Sequence, residues 1–190
     1  MIRTMLDTDD LAALPGGVRA DLLAYYADLV HTPADLAALE ARWPAVVLIE
    51  RGLGDPLGLA SAIDVEQHAE GVAAVKPWAA AQGAHGVRYL AVYANRSTMP
   101  AVDAAGWTGY RWYATLDGTA HIDGRPAGLA PAAVQCLSAA MLGFHADLSL
   151  VFEDGWHPSP PAGLSPADRA ALATARTRAQ GVIDALDVIR

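Results

Sequence analysis

Ala132-Ala133-Val134-Gln135-Cys136-Leu137-Ser138 and Asp147-Leu148-Ser149-Leu150-Val151-Phe152-Glu153 are two strand-like runs joined only by residues 139–146. A parallel crossover needs a dozen or more residues, so the second run is expected to lie antiparallel to the first. Working back along the chain, six more short apolar or alternating runs, each bounded by Gly, Pro or Asp, lie near 2–7, 21–27, 45–50, 60–66, 87–94 and 110–116. Helical patterns separate several of them. Thr32-Pro33-Ala34-Asp35 reads as a Thr cap with Pro in the first turn, followed by Leu36, Leu39 and Trp43 at helical spacing. Others fall near 70–83 and 98–105, whereas 51–59 and 117–131 are Gly/Pro-rich and read as loops. Strands alternating with helices indicate an α/β parallel sheet, and eight strands indicate closure into a barrel.

A regular eightfold barrel takes about 250 residues. Here the chain has 190 residues, and Trp156-His157-Pro158-Ser159-Pro160-Pro161 interrupts it well before its end. The expected fold is therefore an irregular, helix-poor (β/α) TIM-like barrel over 1–157 with eight strands, the last antiparallel. A Pro-rich linker follows at 158–164, then an amphipathic C-terminal helix over 165–190. Ser165-Pro166-Ala167-Asp168 supplies its start, and Leu172, Ala175, Ala179, Val182, Leu186 and Ile189 its apolar stripe. That stripe packs back on the barrel or, alternatively, serves self-association or docking to a larger assembly.

Composition narrows the function. The chain is 53% apolar and 18% charged, with mean hydropathy +0.22, which suits one well-cored domain rather than a disordered tail. Thirteen Lys+Arg against 21 Asp+Glu give a formal charge of −8, so no nucleic-acid partner is expected. No stretch is apolar for long enough to insert in a membrane. Met1-Ile2-Arg3-Thr4-Met5-Leu6-Asp7 lacks the order of a signal peptide, and the chain is expected to be made in the cytoplasm. Cys136, the one cysteine, reads as a buried thiol. The six histidines show neither HxH nor HExxH spacing, so a zinc site has no local signature, and Gly52-Leu53-Gly54-Asp55-Pro56-Leu57-Gly58 matches neither nucleotide-binding fingerprint and reads as a turn-rich loop.

The carboxylates carry the chemistry. If Ala60–Gln67 is a strand, Asp64 and Glu66 share one face at its C-terminal end, where barrel active sites are built. Two close acids split their pKa values, as a general acid and an ionised partner require for glycosidic cleavage. Solvated acids at an exposed strand end are the plainer reading of Asp-x-Glu alone. Asp7 ends the first strand, and Asp147 opens the last; if that strand is antiparallel, all four acids meet at one rim. Asp9, Asp10, Glu153 and Asp154 read as ordinary solvated charges. Aromatic rings stack on the apolar faces of sugars, but strand neighbours face opposite ways, so at most one each of Tyr25/Tyr26 and Trp112/Tyr113 lines a shared cavity. Tyr26, Tyr93 and Trp112 are the candidate substrate contacts. Gln135 joins them, either as a contact or as a hydrogen-bonded core amide. Trp43, Trp78 and Trp107 fit core positions at helices or helix ends.

The ordered set Met5-Leu6-Asp7, Asp64-Val65-Glu66, Ala91-Val92-Tyr93-Ala94-Asn95-Arg96-Ser97-Thr98-Met99-Pro100-Ala101-Val102, Trp112-Tyr113-Ala114, Val134-Gln135 and Asp147-Leu148-Ser149-Leu150-Val151-Phe152 resembles the family-25 glycoside hydrolases, the N-acetylmuramidase lysozymes, especially the compact domains of actinobacteria and their phages. The resemblance covers most of residues 1–157. It implies hydrolysis of the β-1,4 bond after N-acetylmuramic acid in peptidoglycan without a metal or organic cofactor. It further implies Glu66 as general acid, Asp64 as the carboxylate that stabilises positive charge or orients the acetamido group, and Asp7 and Asp147 as the acids completing the site. Arg51, ending the third strand, is placed to pair with one of these acids and depress its pKa. The competing reading is a barrel that binds glycan or serves as structure without turnover, attached through 165–190 to a phage tail or another assembly.

Overall fold

A computed structural model of the chain describes residues 3–118 and 132–152. The strands are β1 (Arg3–Thr8), β2 (Leu22–Tyr26), β3 (Val46–Glu50), β4 (Ala62–Asp64), β5 (Ala91–Asn95), β6 (Tyr110–Ala114), β7 (Ala133–Leu137) and β8 (Asp147–Val151). They close into one barrel in chain order. β1 to β7 run parallel, and β8 is antiparallel to both β7 and β1. The short connection explains the reversal: it holds one helical turn, α4 after the helices below (Ala139–Leu142), stopped by Gly143 at φ 75°, a left-handed conformation suited to glycine. The expected linker 158–164 and helix 165–190 lie outside the described residues, as do Glu153 and Asp154.

Helices are few. α1 (Pro33–Arg42) begins where Thr32 accepts the Asp35 amide and the Asp35 carboxylate accepts the Thr32 amide, a reciprocal cap. α2 (Val75–Ala84) follows a 3-10 turn at Gly71–Ala74, and α3 (Met99–Ala104) is tied to β6 by an Arg111–Asp103 ion pair at 2.6 Å. No helix spans the β3–β4 connection, residues 51–61. Among the described residues no helix is long and apolar enough to cross a membrane.

Alternation along the strands sorts side chains into three cores. Leu6, Leu23, Leu48 and Leu150 pack outward against Leu39 and Trp43 of the α1 region. Ile63, Val92, Tyr113 and Val134 pack against Val75, Trp78, Met99 and Val102 of α2 and α3. Met5, Leu22, Val47, Ile49, Ala62, Ala91, Trp112 and Val151 plug the barrel itself. Trp107 is partly buried and donates its indole N–H to the Tyr110 carbonyl, so Trp43, Trp78 and Trp107 all serve packing. Cys136 is buried, and burial pushes its thiol up to about 11.

Two strands are shorter than their sequence suggests. β5 begins at Ala91 rather than 87, because Tyr89 takes a left-handed φ of 62° that a strand does not accommodate. β4 stops at Asp64: its Oδ1 accepts the backbone N–H of Glu66 (2.9 Å) and Gln67 (3.1 Å), and this local turn replaces the ladder. Glu66 therefore does not share a strand face with Asp64.

Candidate functional site

Closure turns the C-terminal ends of the parallel strands into a mouth above the apolar plug. The Cα register sets Asp7 of β1 opposite Asp147, the first residue of the reversed β8. Asp64 ends β4 in register with Tyr93. Acids from the beginning, middle and end of the barrel thus gather at the C-terminal strand ends, Asp64 as a fully buried side chain whose charge, like that of Asp147, acts on Asp7. Asp7, Asp9, Tyr26, Gln67, His145 and Asp147 are among the residues around a cleft of about 220 Å³. That volume lies below the roughly 300–1,000 Å³ of drug-sized sites. Glu66 is exposed on the rim, off the cleft wall, with Oε1 accepting the Asn95 amide at 2.7 Å.

Burial without a matched cation dominates the electrostatics. Asp7 is only 8% exposed, its Oδ1 has no hydrogen-bond partner, and its pKa is raised well above the ordinary value by desolvation, then by the charges of Asp147, Asp64 and Asp9. Desolvation likewise lifts Asp64 to about 6, against the pull of its two amide donors. Asp147 is half-buried and raised by desolvation, although the Ala139 amide (2.6 Å) and the Gln135 side-chain amide (2.5 Å) both donate to it. Desolvation also raises Tyr26 and Tyr93, with the Asp7 and Asp64 charges adding to it.

Polar links hold these groups in place. Tyr93 donates its hydroxyl to Gln135 Oε1, and Gln135 passes a hydrogen bond to Asp147, so Gln135, fully buried, is a satisfied core amide that positions two site residues. Tyr26 accepts from Gln67 Nε2 at 3.1 Å and carries the Arg51 guanidinium 4.1 Å above its ring. Tyr25 packs outward instead.

Three expectations change. Trp112 cannot stack on a substrate, because it is fully buried beneath the mouth: its indole donates to Ser149 Oγ at 2.9 Å, and Tyr93 meets it edge-on at 4.8 Å. Arg51 pairs with Asp28, donating through Nε (3.0 Å) and Nη2 (2.9 Å), rather than with a site acid. Its charge still lowers the Asp64 pKa, but by less than desolvation raises it. Asp9 is not simply solvated: it sits 2.8 Å from His145, whose pKa this hydrogen bond raises. The sequence held a signal for His145. Once Asp147 is placed at the mouth, the 139–146 connection must lie there too.

The raised acids make stability fall with rising pH. Above pH 3.8 the unfolded chain releases the Asp64 proton, whereas the folded chain keeps it up to about 6. Stability contributed by this group is complete below that window and lost across it, by up to about 3 kcal/mol. Asp64→Asn, which keeps an acceptor for both amides, is expected to recover most of that loss at pH 8 and almost none at pH 4. Urea unfolding of parent and variant at the two pH values checks it; equal effects at both would contradict the assignment.

No protein-family model, no curated protein and no solved structure matches the chain.

Proposed function

We propose that the barrel mouth binds a β-1,4-linked glycan of the peptidoglycan class and hydrolyses its glycosidic bond by carboxylate catalysis. One observation carries this reading: Asp7, Asp64 and Asp147 converge at the mouth although the sequence spreads them over its length, with raised pKa values and Glu66 on the rim beside them. Glycosidic cleavage needs one carboxyl group that is still protonated and one that is ionised. In this reading a sugar occupies the cleft against the Tyr26 side, and Glu66, at the solvent edge, gives its proton to the leaving oxygen. Asp64, buried behind the cleft wall, acts through its charge on the positive charge that develops at the anomeric carbon. Water adds there, and its proton returns to Glu66. Asp7 and Asp147 orient the sugar from below. The resemblance of the ordered motifs to muramidases supports the same substrate class, and a phage lysin or virion-associated wall hydrolase is the corresponding biological setting.

A second reading, glycan binding without turnover, is favoured by one feature. Neither Glu66 nor Asp64 lines the cleft, and one Glu66 carboxylate oxygen is already held by Asn95. Purified peptidoglycan incubated with the full chain separates the two. The hydrolase reading expects new reducing ends to accumulate with time. Retention on the insoluble glycan with no reducing ends supports the binding reading, and the absence of both retention and reducing ends removes both readings.

A further inference from the structure

The missing β3–β4 helix leaves a mark on the barrel wall. A groove of about 380 Å³, separate from the mouth, is lined by apolar Leu36, Val46, Leu48, Leu59, Val87 and Tyr89. Leu59 and Tyr89 are 42% and 51% exposed, unusual for large side chains beside a core. Glu40 of α1 lies at one side and Arg88, before β5, at the other, both exposed.

We infer that this groove is the docking site of residues 165–190 of the same chain, whose apolar face takes the place of the absent crossover helix. Three observations point to this occupant. First, the groove lies at the end of the barrel opposite the mouth, since Val46 opens β3, Ser61 precedes β4 and Tyr89 precedes β5. Because β8 is reversed, the chain leaves it at that same end, where Val151 pairs with Arg3 and Ala133. Second, residues 153–164 span up to about 40 Å when extended, enough to pass across a barrel end. Third, the charges match in sense. In helical projection Leu172, Ala175, Ala179, Val182, Leu186 and Ile189 share one face, and Arg178 and Asp187 fall on its opposite edges. Glu40 suits the first and Arg88 the second. The small alanines let a helix approach closely, and the groove then takes Leu and Val side chains rather than a whole helix.

Cross-linking tests this in the full-length protein. Tyr89→Cys is combined with Val182→Cys, on the apolar face, or with Thr177→Cys, on the opposite face; Cys136 is buried. Under mild oxidation the Val182→Cys pair is expected to close an intrachain disulfide at monomeric mass, since the two Cα atoms must come within about 7 Å. The Thr177→Cys pair is expected not to. Disulfide-linked dimers in place of the intrachain bond would assign the groove to a second copy and overturn the inference, as would equal closure by both pairs or by neither. Leu59→Asp gives an independent reading that does not disturb the plug. It is expected to speed tryptic cleavage after Arg176 and Arg178 at least about tenfold by releasing the segment. An unchanged cleavage rate would also overturn the inference.

Discussion

Glu66→Gln is expected to lower reducing-end release from peptidoglycan by about 10²–10⁴-fold, the usual loss when a general acid is removed. The barrel should be undisturbed. Glu66 is exposed, and its described side-chain hydrogen bond is accepted from the Asn95 amide, which the amide oxygen of Gln accepts equally well. Unfolding free energy should stay within about 0.5 kcal/mol of the parent. What the variant loses is a proton to give. Asp64→Asn should lose turnover too, but for the opposite electrostatic reason: it removes a negative charge acting on the transition state, and it gains stability at pH 8. Loss of activity combined with gain of stability marks a group kept at a cost to the fold. Because Asp64 titrates near 6, activity that requires its charge should fall below that pH. A Glu66→Gln protein with parental activity would leave Glu66 as a rim charge and remove the acid assignment.

Trp112→Ala is expected to cost about 3–5 kcal/mol, the range for emptying a large aromatic site in a core. The ring is fully buried in the barrel plug, and its loss also leaves the Ser149 hydroxyl without its indole donor. The damage should reach the site. Tyr93 rests edge-on against this ring, and Tyr93, Gln135 and Asp147 form one hydrogen-bonded chain. Trp112→Phe separates volume from polarity, because it fills most of the space and loses only the N–H, at about 1 kcal/mol. Guanidinium unfolding of the three proteins measures both. If Trp112→Ala cost under about 1 kcal/mol, the ring would not be part of a close-packed plug.

The eight strands were legible because each run is apolar or alternating and is bounded by turn residues, and the reversed β8 because residues 139–146 are too few for a crossover. From that reversal alone the meeting of Asp7 and Asp147 followed. Depth was not legible. The register partners Asp64, Tyr93, Trp112, Ala133, Val151 and Arg3 form one row that descends from the mouth to the far end, because closing a barrel staggers its strands. Alternation tells which face Trp112 shares with Asp64, but only the stagger tells that it lies a layer lower. Glu66 escaped for a local reason, since an Asx turn at Asp64 competes with the ladder and nothing in Ala-Ile-Asp-Val-Glu says which prevails. The Arg51 pairing escaped for a distant one: Asp28 lies beyond β2, and only the folded barrel brings it near.

The most direct test of a desolvated carboxylate cluster at the barrel mouth is a carbon-13 NMR titration of the aspartate side chains in the full chain. The account predicts an Asp64 midpoint at about 6 and an Asp7 midpoint displaced upward. It also predicts that Asp147→Asn brings Asp7 back toward its ordinary value by removing a neighbouring charge. Midpoints near about 4 for both aspartates, unmoved by that substitution, would mean that each acid faces water alone and that no such site exists.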